Sequence, residues 1–252
     1  MNTVKVRELI IGEGMPKICV PIVENTRDGI LKIAKEIVNS SADMVEWRMD
    51  WFESVFEIEE VEKVARELRQ ILGELPLLVT FRTKAEGGEK DIAPDQYKKL
   101  LLDIVTNSSV DMVDVEVFFD REVAQLICDL KARDVIVVAS NHDFEKTPSQ
   151  EEIIRRLCYM QDVGADILKM AVMPKEQSDV ATLMEATKTM VSKYAKQPVV
   201  TMSMSEMGIA SRMEGQLFGS AITFGALKKT SAPGQINVEK LKKGLEKVNK
   251  LV

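Results

Sequence analysis

Lys169 lies inside the apolar run Ile167-Leu168-Lys169-Met170-Ala171-Val172, where no other residue is charged. Apolar neighbours on both sides suit a strand covered on both faces, and lysine is seldom fully buried unless it is paired or put to use. Withdrawing an ammonium from water disfavours its charged form, which is one route to an amine nucleophile near neutral pH. The alternative is a strand-end lysine whose stem packs while its amine reaches solvent. The one histidine of the chain, His142, stands in Asn141-His142-Asp143-Phe144 at the end of another β-branched run. It is the natural agent of proton transfer near neutrality, worth about 10²- to 10⁴-fold in rate, although a lone strand-end histidine is more often structural.

Carboxylates and guanidiniums complete the set. In Met44-Val45-Glu46-Trp47-Arg48-Met49-Asp50, the charged residues Glu46, Arg48 and Asp50 share parity and project to one face of a strand. They read either as the lining of a site or as a structural ion-pair network. Arg82 ends the run Leu77-Leu78-Val79-Thr80-Phe81, and the loop Lys84-Ala85-Glu86-Gly87-Gly88-Glu89 follows. Met202 and Met204 end another run, where thioethers pack against a ligand ring or simply fill core. An amine, an imidazole, carboxylates and arginines together suit covalent work on a ketone, with proton abstraction alpha to the carbonyl. An arginine fork suits a carboxylate. One histidine and scattered cysteines supply no metal-ligand spacing, and there is neither a nucleophile elbow nor a Walker loop.

These residues need a frame that gathers strand ends. Eight β-branched runs begin near Ile18, Met44, Leu77, Met112, Val135, Ile167, Pro198 and Ala221, at intervals of roughly 23 to 35 residues, the length of a βα unit. Helical periodicity fills the gaps: Ile30, Ile33, Ala34 and Ile37 share a face, as do Val61, Val64, Ala65, Leu68 and Leu72. The same pattern recurs at Tyr97, Leu100, Leu101 and Ile104, and again at Val180, Leu183, Met184, Thr187, Met190 and Val191. The fold class is therefore α/β, a (β/α)₈ TIM barrel forming one domain over residues 1–252. Residues 3–17, with two apolar pieces around Gly12-Glu13-Gly14, read as an N-terminal β-hairpin closing the barrel bottom. An open doubly wound sheet is the alternative, but Pro21-Ile22-Val23-Glu24-Asn25-Thr26-Arg27-Asp28-Gly29 lacks its glycine-rich phosphate loop.

At 252 residues, 45% hydrophobic and 29% charged, the chain has the composition of a soluble globular protein. A net charge of −6 argues against nucleic acid or an anionic membrane as main partner, while leaving room for an anionic small molecule in an arginine-lined pocket. Cys19, Cys128 and Cys158, an odd number in apolar contexts, read as reduced core residues of a cytoplasmic protein. The first residues contain no long apolar stretch and read as neither signal peptide nor membrane span.

Taken together, these segments resemble the type I 3-dehydroquinate dehydratases, the Schiff-base dehydratases of the shikimate pathway. The resemblance runs nearly end to end, through the stretches at 10–22, 46–50, 76–89, 140–148, 164–174, 201–208 and 218–226 to Ser231-Ala232-Pro233-Gly234-Gln235-Ile236. It implies a (β/α)₈ barrel, often homodimeric, that needs neither metal nor cofactor and acts on 3-dehydroquinate. By this similarity Lys169 is the Schiff-base residue, His142 the general base and acid, and Glu86 the carboxylate that orients the imidazole. Arg212, Ser231 and Gln235 match contacts to the substrate carboxylate and the lid, while Glu46, Arg48 and Arg82 match residues around the ring hydroxyls. Two positions depart from the expected pattern. Glu24 stands where relatives are expected to have glycine, and Leu168 where proline is common before the lysine. Another Schiff-base lyase, such as an aldolase on a phosphorylated sugar, is the alternative enzyme, though the last strands lack a glycine-rich phosphate cup. A catalytically inactive barrel kept as a binding protein is the alternative of another class.

Overall fold

The computed structural model describes residues 2–250. Its first element is the expected hairpin: β1 (Val4–Val6) and β2 (Leu9–Ile11) pair antiparallel, with Val4 opposite Ile11 and Val6 opposite Leu9. A parallel sheet follows, in which strands alternate with helices. β3 (Lys17–Ile22) leads to α1 (Arg27–Ile37), β4 (Met44–Arg48) to α2 (Ile58–Leu72), and β5 (Leu77–Thr80) to α3 (Pro94–Asn107). β6 (Met112–Glu116) leads to α4 (Val123–Lys131), β7 (Ile136–Asp143) to α5 (Gln150–Asp162), and β8 (Ile167–Val172) to α6 (Gln177–Lys193). After β9 (Val199–Ser203) come two short helices, α7 (Ile209–Met213) and α8 (Gly215–Phe218). β10 (Ile222–Ala226) is then followed by the two-residue β11 (Ile236–Asn237) and α9 (Val238–Asn249).

Each strand from β3 to β9 pairs with the next, and β10 returns to pair with β3. The seam between β9 and β10 is closed by a bridge at Val199 and Ser220 and by the Ala221 N–H donating to the Val199 carbonyl. The sheet is thus a barrel. The extra strand β11, which the sequence reading did not name, pairs in parallel with β10. Two residues are too few for a period to show.

Alternation along the strands divides the apolar side chains into two cores. Leu168, Met170 and Val172 of β8 face the helices with the outer layer, whereas Ile167 and Ala171 belong to the barrel interior. Lys169 shares the inward parity. The inner core holds residues from the starts of successive strands, including Cys19, Met44, Met112 and Val138, together with Val6 and Ile11 of the hairpin. The hairpin therefore stoppers the end opposite the strand C-termini.

Helix starts are locally encoded. Thr26 caps α1 and Ser149 caps α5 by accepting the N–H groups of Gly29 and Glu152, and Asn237 caps α9. Glu176 and Asp179 form a reciprocal box at α6. The backbone N–H that Leu168 retains donates to the Pro198 carbonyl at 3.0 Å, so the strand that carries the lysine is regularly paired. Cys19 is buried and Cys158 half-buried, but Cys128 is exposed, contrary to the core position expected of it. The buried stripe of α4 is Val123, Leu126, Ile127 and Leu130, and Cys128 falls beside it. Among the described residues no helix is long and apolar enough to cross a membrane.

Candidate active site

At the C-terminal strand ends, a cavity of about 30 Å³ is enclosed by Glu46, Arg48, Arg82, Glu86, His142 and Lys169. Gly87, Phe144, Ala171, Met202, Met204, Ser231 and Ala232 complete its wall. Seven sequence-predicted polar residues, Ser231 among them, thus meet in one place, carried by β4, β7, β8 and the segments after β5 and β10, and both methionines line it. A larger open groove of about 520 Å³ beside Phe56 and Lys99 lies outside the barrel and contains none of them.

Lys169 is buried, and its position in β8 places Ser140 on one side and Val200 on the other. Its amine donates to Asp114 Oδ2 at 3.0 Å, approaches Glu46 Oε1 at 3.5 Å and lies 4.7 Å from the centre of the Phe224 ring. The sequence suggested an amine shaped by burial alone. The barrel instead gives it two counter-charges and an aromatic face. Thr80 Oγ1 donates to the same Glu46 oxygen at 2.9 Å.

His142 faces the same cavity. Its Nδ1 and Glu86 Oε2 are 2.9 Å apart, its own backbone N–H donates to that oxygen, and Asn141 Nδ2 donates to Oε1. Burial, followed by the positive charges of Arg82, Lys169 and Arg48, pushes the imidazole well below its usual pKa. Burial and the neighbouring Glu116 push Glu86 up to about 8, against the pull of Arg82 and Asn141. The imidazole is thus neutral at physiological pH, and Glu86 fixes which ring nitrogen turns to the cavity.

Arg82 is more than a lining residue. Its Nη2 donates to Asp114 Oδ1 at 2.8 Å, and its Nη1 to Glu116 Oε1 at 2.8 Å, Ser140 Oγ at 3.0 Å and Glu86 Oε2 at 3.4 Å. Burial works against this guanidinium, but Asp114, Glu116 and Glu86 outweigh it and keep it charged. Through these contacts it braces both the partner of the amine and the partner of the imidazole. Asp50 takes the structural course: it holds Arg48 in a two-pronged pair at 2.8 Å and accepts the Arg82 and Glu89 backbone N–H groups, off the cavity wall.

The remaining cations meet the loop after β10. Arg48 Nη1 donates to the Ser231 carbonyl at 3.3 Å, and Arg212 Nη2 to the Pro233 carbonyl at 3.1 Å. Ser231 and Gln235 bond each other reciprocally, backbone N–H to Oε1 and Nε2 to Oγ, both at 2.8 Å. Gln235 therefore braces Ser231 rather than lining the cavity. Arg212 is buried with its Nε unpartnered, and no carboxylate pairs with it among the described residues. Burial alone lowers it to about 10. A guanidinium kept out of water with no carboxylate partner is suited to an anion, although Arg212 lies off the cavity wall. Glu24 is ion-paired at 2.8 Å with Lys229, at the root of this loop.

Asp114, Glu116, Ser140 and Asn141 escaped the sequence reading. The signal was present: Asp114 and Glu116 alternate in Met112-Val113-Asp114-Val115-Glu116 as Glu46 and Arg48 do in their strand.

Such a barrel, with a buried amine and a neutral imidazole at its mouth, belongs among the α/β-barrel enzymes. Residues 18–251 match the family model described as Type I 3-dehydroquinase. A 3-dehydroquinate dehydratase of Clostridioides difficile is 48% identical over 250 residues, covering 99% of this chain and 98% of the relative. One from Listeria monocytogenes is 47% identical over 251 residues, covering 99% of each. Among solved structures, the type I enzyme of Clostridium difficile with covalent modified comenic acid superposes with a TM-score of 0.97 at 48% identity, covering 100% of this chain and 99% of that one. The Geobacillus kaustophilus 3-dehydroquinate dehydratase follows with a TM-score of 0.96 at 34% identity, covering 99% and 97%. The chain belongs to the type I 3-dehydroquinase family, and is a hydro-lyase.

Proposed function

We propose that this protein removes water from 3-dehydroquinate to give 3-dehydroshikimate, through a Schiff base on Lys169. The carrying observation is that Lys169 and His142 open into one cavity, each held by its own carboxylate. The amine attacks the C3 carbonyl, and loss of water leaves a protonated imine. That cation is an electron sink, so the neighbouring C2 proton becomes removable by His142. The electron pair returns through the enamine to expel the C1 hydroxyl, which takes the proton back from the same imidazole. One base then serves both steps if proton and hydroxyl leave from the same side. Arg212, without a counter-charge, receives the substrate carboxylate, while Glu46, Arg48 and Arg82 meet the ring hydroxyls. Ser231 closes over the ring with Gln235 behind it. Covalent modified comenic acid in a relative's crystal structure supports a nucleophile at such a site.

A cavity of about 30 Å³ has room for about two waters, not for a substituted cyclohexane. The loop after β10 must therefore withdraw to admit substrate. The Ser231 and Pro233 carbonyls occupy the guanidiniums that the substrate would take, so binding is an exchange of acceptors. The role in the shikimate pathway, a cytoplasmic location, a homodimer and a single domain over 1–252 belong to the same proposal.

Two measurements test it together. Absorbance of the conjugated enone should rise when the protein meets 3-dehydroquinate, and borohydride should fix a covalent adduct on Lys169. Lys169→Ala should abolish adduct and turnover. His142→Ala should still form adduct but eliminate water about 10²- to 10⁴-fold more slowly. An adduct on another residue, or near-normal turnover of His142→Ala, contradicts the mechanism.

A further inference from the structure

We propose that Asp114 is the positioning residue that keeps the Lys169 nitrogen cationic, first as ammonium and then as protonated imine. The inference rests on the dehydratase reading and adds to it a group which that reading does not use.

Asp114 sits on β6, two strands from Lys169, fully buried within the barrel. Its Oδ2 meets the amine at 3.0 Å. Its Oδ1 accepts from Arg82 Nη2 at 2.8 Å and from Ser140 Oγ at 2.6 Å. One oxygen is thus fixed by the scaffold and the other is committed to the nucleophile. Burial alone would neutralise such a carboxyl, yet Arg82, Lys169 and the Ser140 hydroxyl together hold it below the ordinary aspartate range. Asp114 is therefore a standing negative charge and a poor proton acceptor.

Imine formation conserves charge at nitrogen. The ammonium carries three protons; two of them leave with the carbonyl oxygen as water, and the third remains on the imine. One of those protons leaves nitrogen before attack, freeing the lone pair that forms the N–C bond, and it ends on the carbonyl oxygen, which departs as water with the electrons of the broken C–O bond. A cation therefore faces Asp114 before the reaction and after it. What the carboxylate governs is the pH at which the imine loses its last proton, because an unprotonated imine is a weak electron sink. Glu46, the other carboxylate near the nitrogen, lies farther away at 3.5 Å and shares its oxygen with Thr80.

The test is the pH dependence of cyanoborohydride trapping with 3-dehydroquinate, read as adduct mass, alongside the alkaline limb of kcat. Asp114→Asn should move both alkaline limits to lower pH by about one to three units, the span over which an adjacent opposite charge acts. A merely structural role lowers the amount of active protein and leaves those limits where they are. Ser140→Ala, which removes one tether of Asp114 without touching its charge, should shift them the same way by less, and guards against misfolding of the first variant. If the native enzyme is trapped and both variants retain its alkaline limits, the assignment to Asp114 is wrong and the dehydratase reading stands. If the native enzyme is not trapped at all, both fall.

Discussion

His142 stays neutral at physiological pH because it is buried first, and because Arg82, Lys169 and Arg48 repel an added proton second. Its partner Glu86 is raised to about 8 by burial. Below that pH the pair holds one extra proton, which occupies the Nδ1–Oε2 contact. Above it, Glu86 is a carboxylate accepting from Nδ1–H, and Nε2 is free to act as a base. The rate kcat/KM should therefore rise with pH toward about 8. Glu86→Gln has no carboxyl to titrate, so its rising limb should move to lower pH, with a loss of about tenfold from looser imidazole orientation. A pH–rate profile decides it, since an unmoved limb removes Glu86 from the titration. At this scale the sequence exposed the residues of unusual type, Lys169 in an apolar run and the single histidine. It did not expose Asp114 or Arg82 as partners, because an ion pair between strands depends on register that no single strand carries.

The loop after β10 has a seat as well as anchors. Ser205 adopts φ 61 and ψ 176, a conformation that only glycine enters easily and that costs about 1–3 kcal/mol. Gly234, itself at φ +80, approaches so closely that a Cβ would lie 2.1 Å from the Ser205 carbonyl oxygen. Gly234→Ala should therefore keep the loop from seating and lower kcat/KM by about 10- to 100-fold, while thermal unfolding changes little. Steady-state kinetics beside a melting curve would show whether the two separate. Strands and helices were legible because burial on both strand faces and one helix face leaves a period in the residues. The seat was not, since a serine in a glycine conformation has no local signature, and α7, α8 and β11 are shorter than the period that would announce them.

Across the whole molecule, the hairpin and the barrel share one inner core, in which Ile11 is fully buried. Ile11→Ala should destabilise the protein by about 2–5 kcal/mol. For a chain of this size that lowers Tm by roughly 4–20 °C, which calorimetry would read. The cavity lies at the opposite end, so kcat at moderate temperature should hold. The eightfold alternation made the barrel readable from sequence, and the two apolar pieces before it made the hairpin readable as its stopper. A vessel corked below has one doorway. Whatever enters must leave by the way it came, past the same folding gate, so departing product obstructs arriving reactant. Inhibition by accumulated product should accordingly be overcome by raising reactant concentration, and throughput in a cell depends on how fast the next consumer clears the threshold.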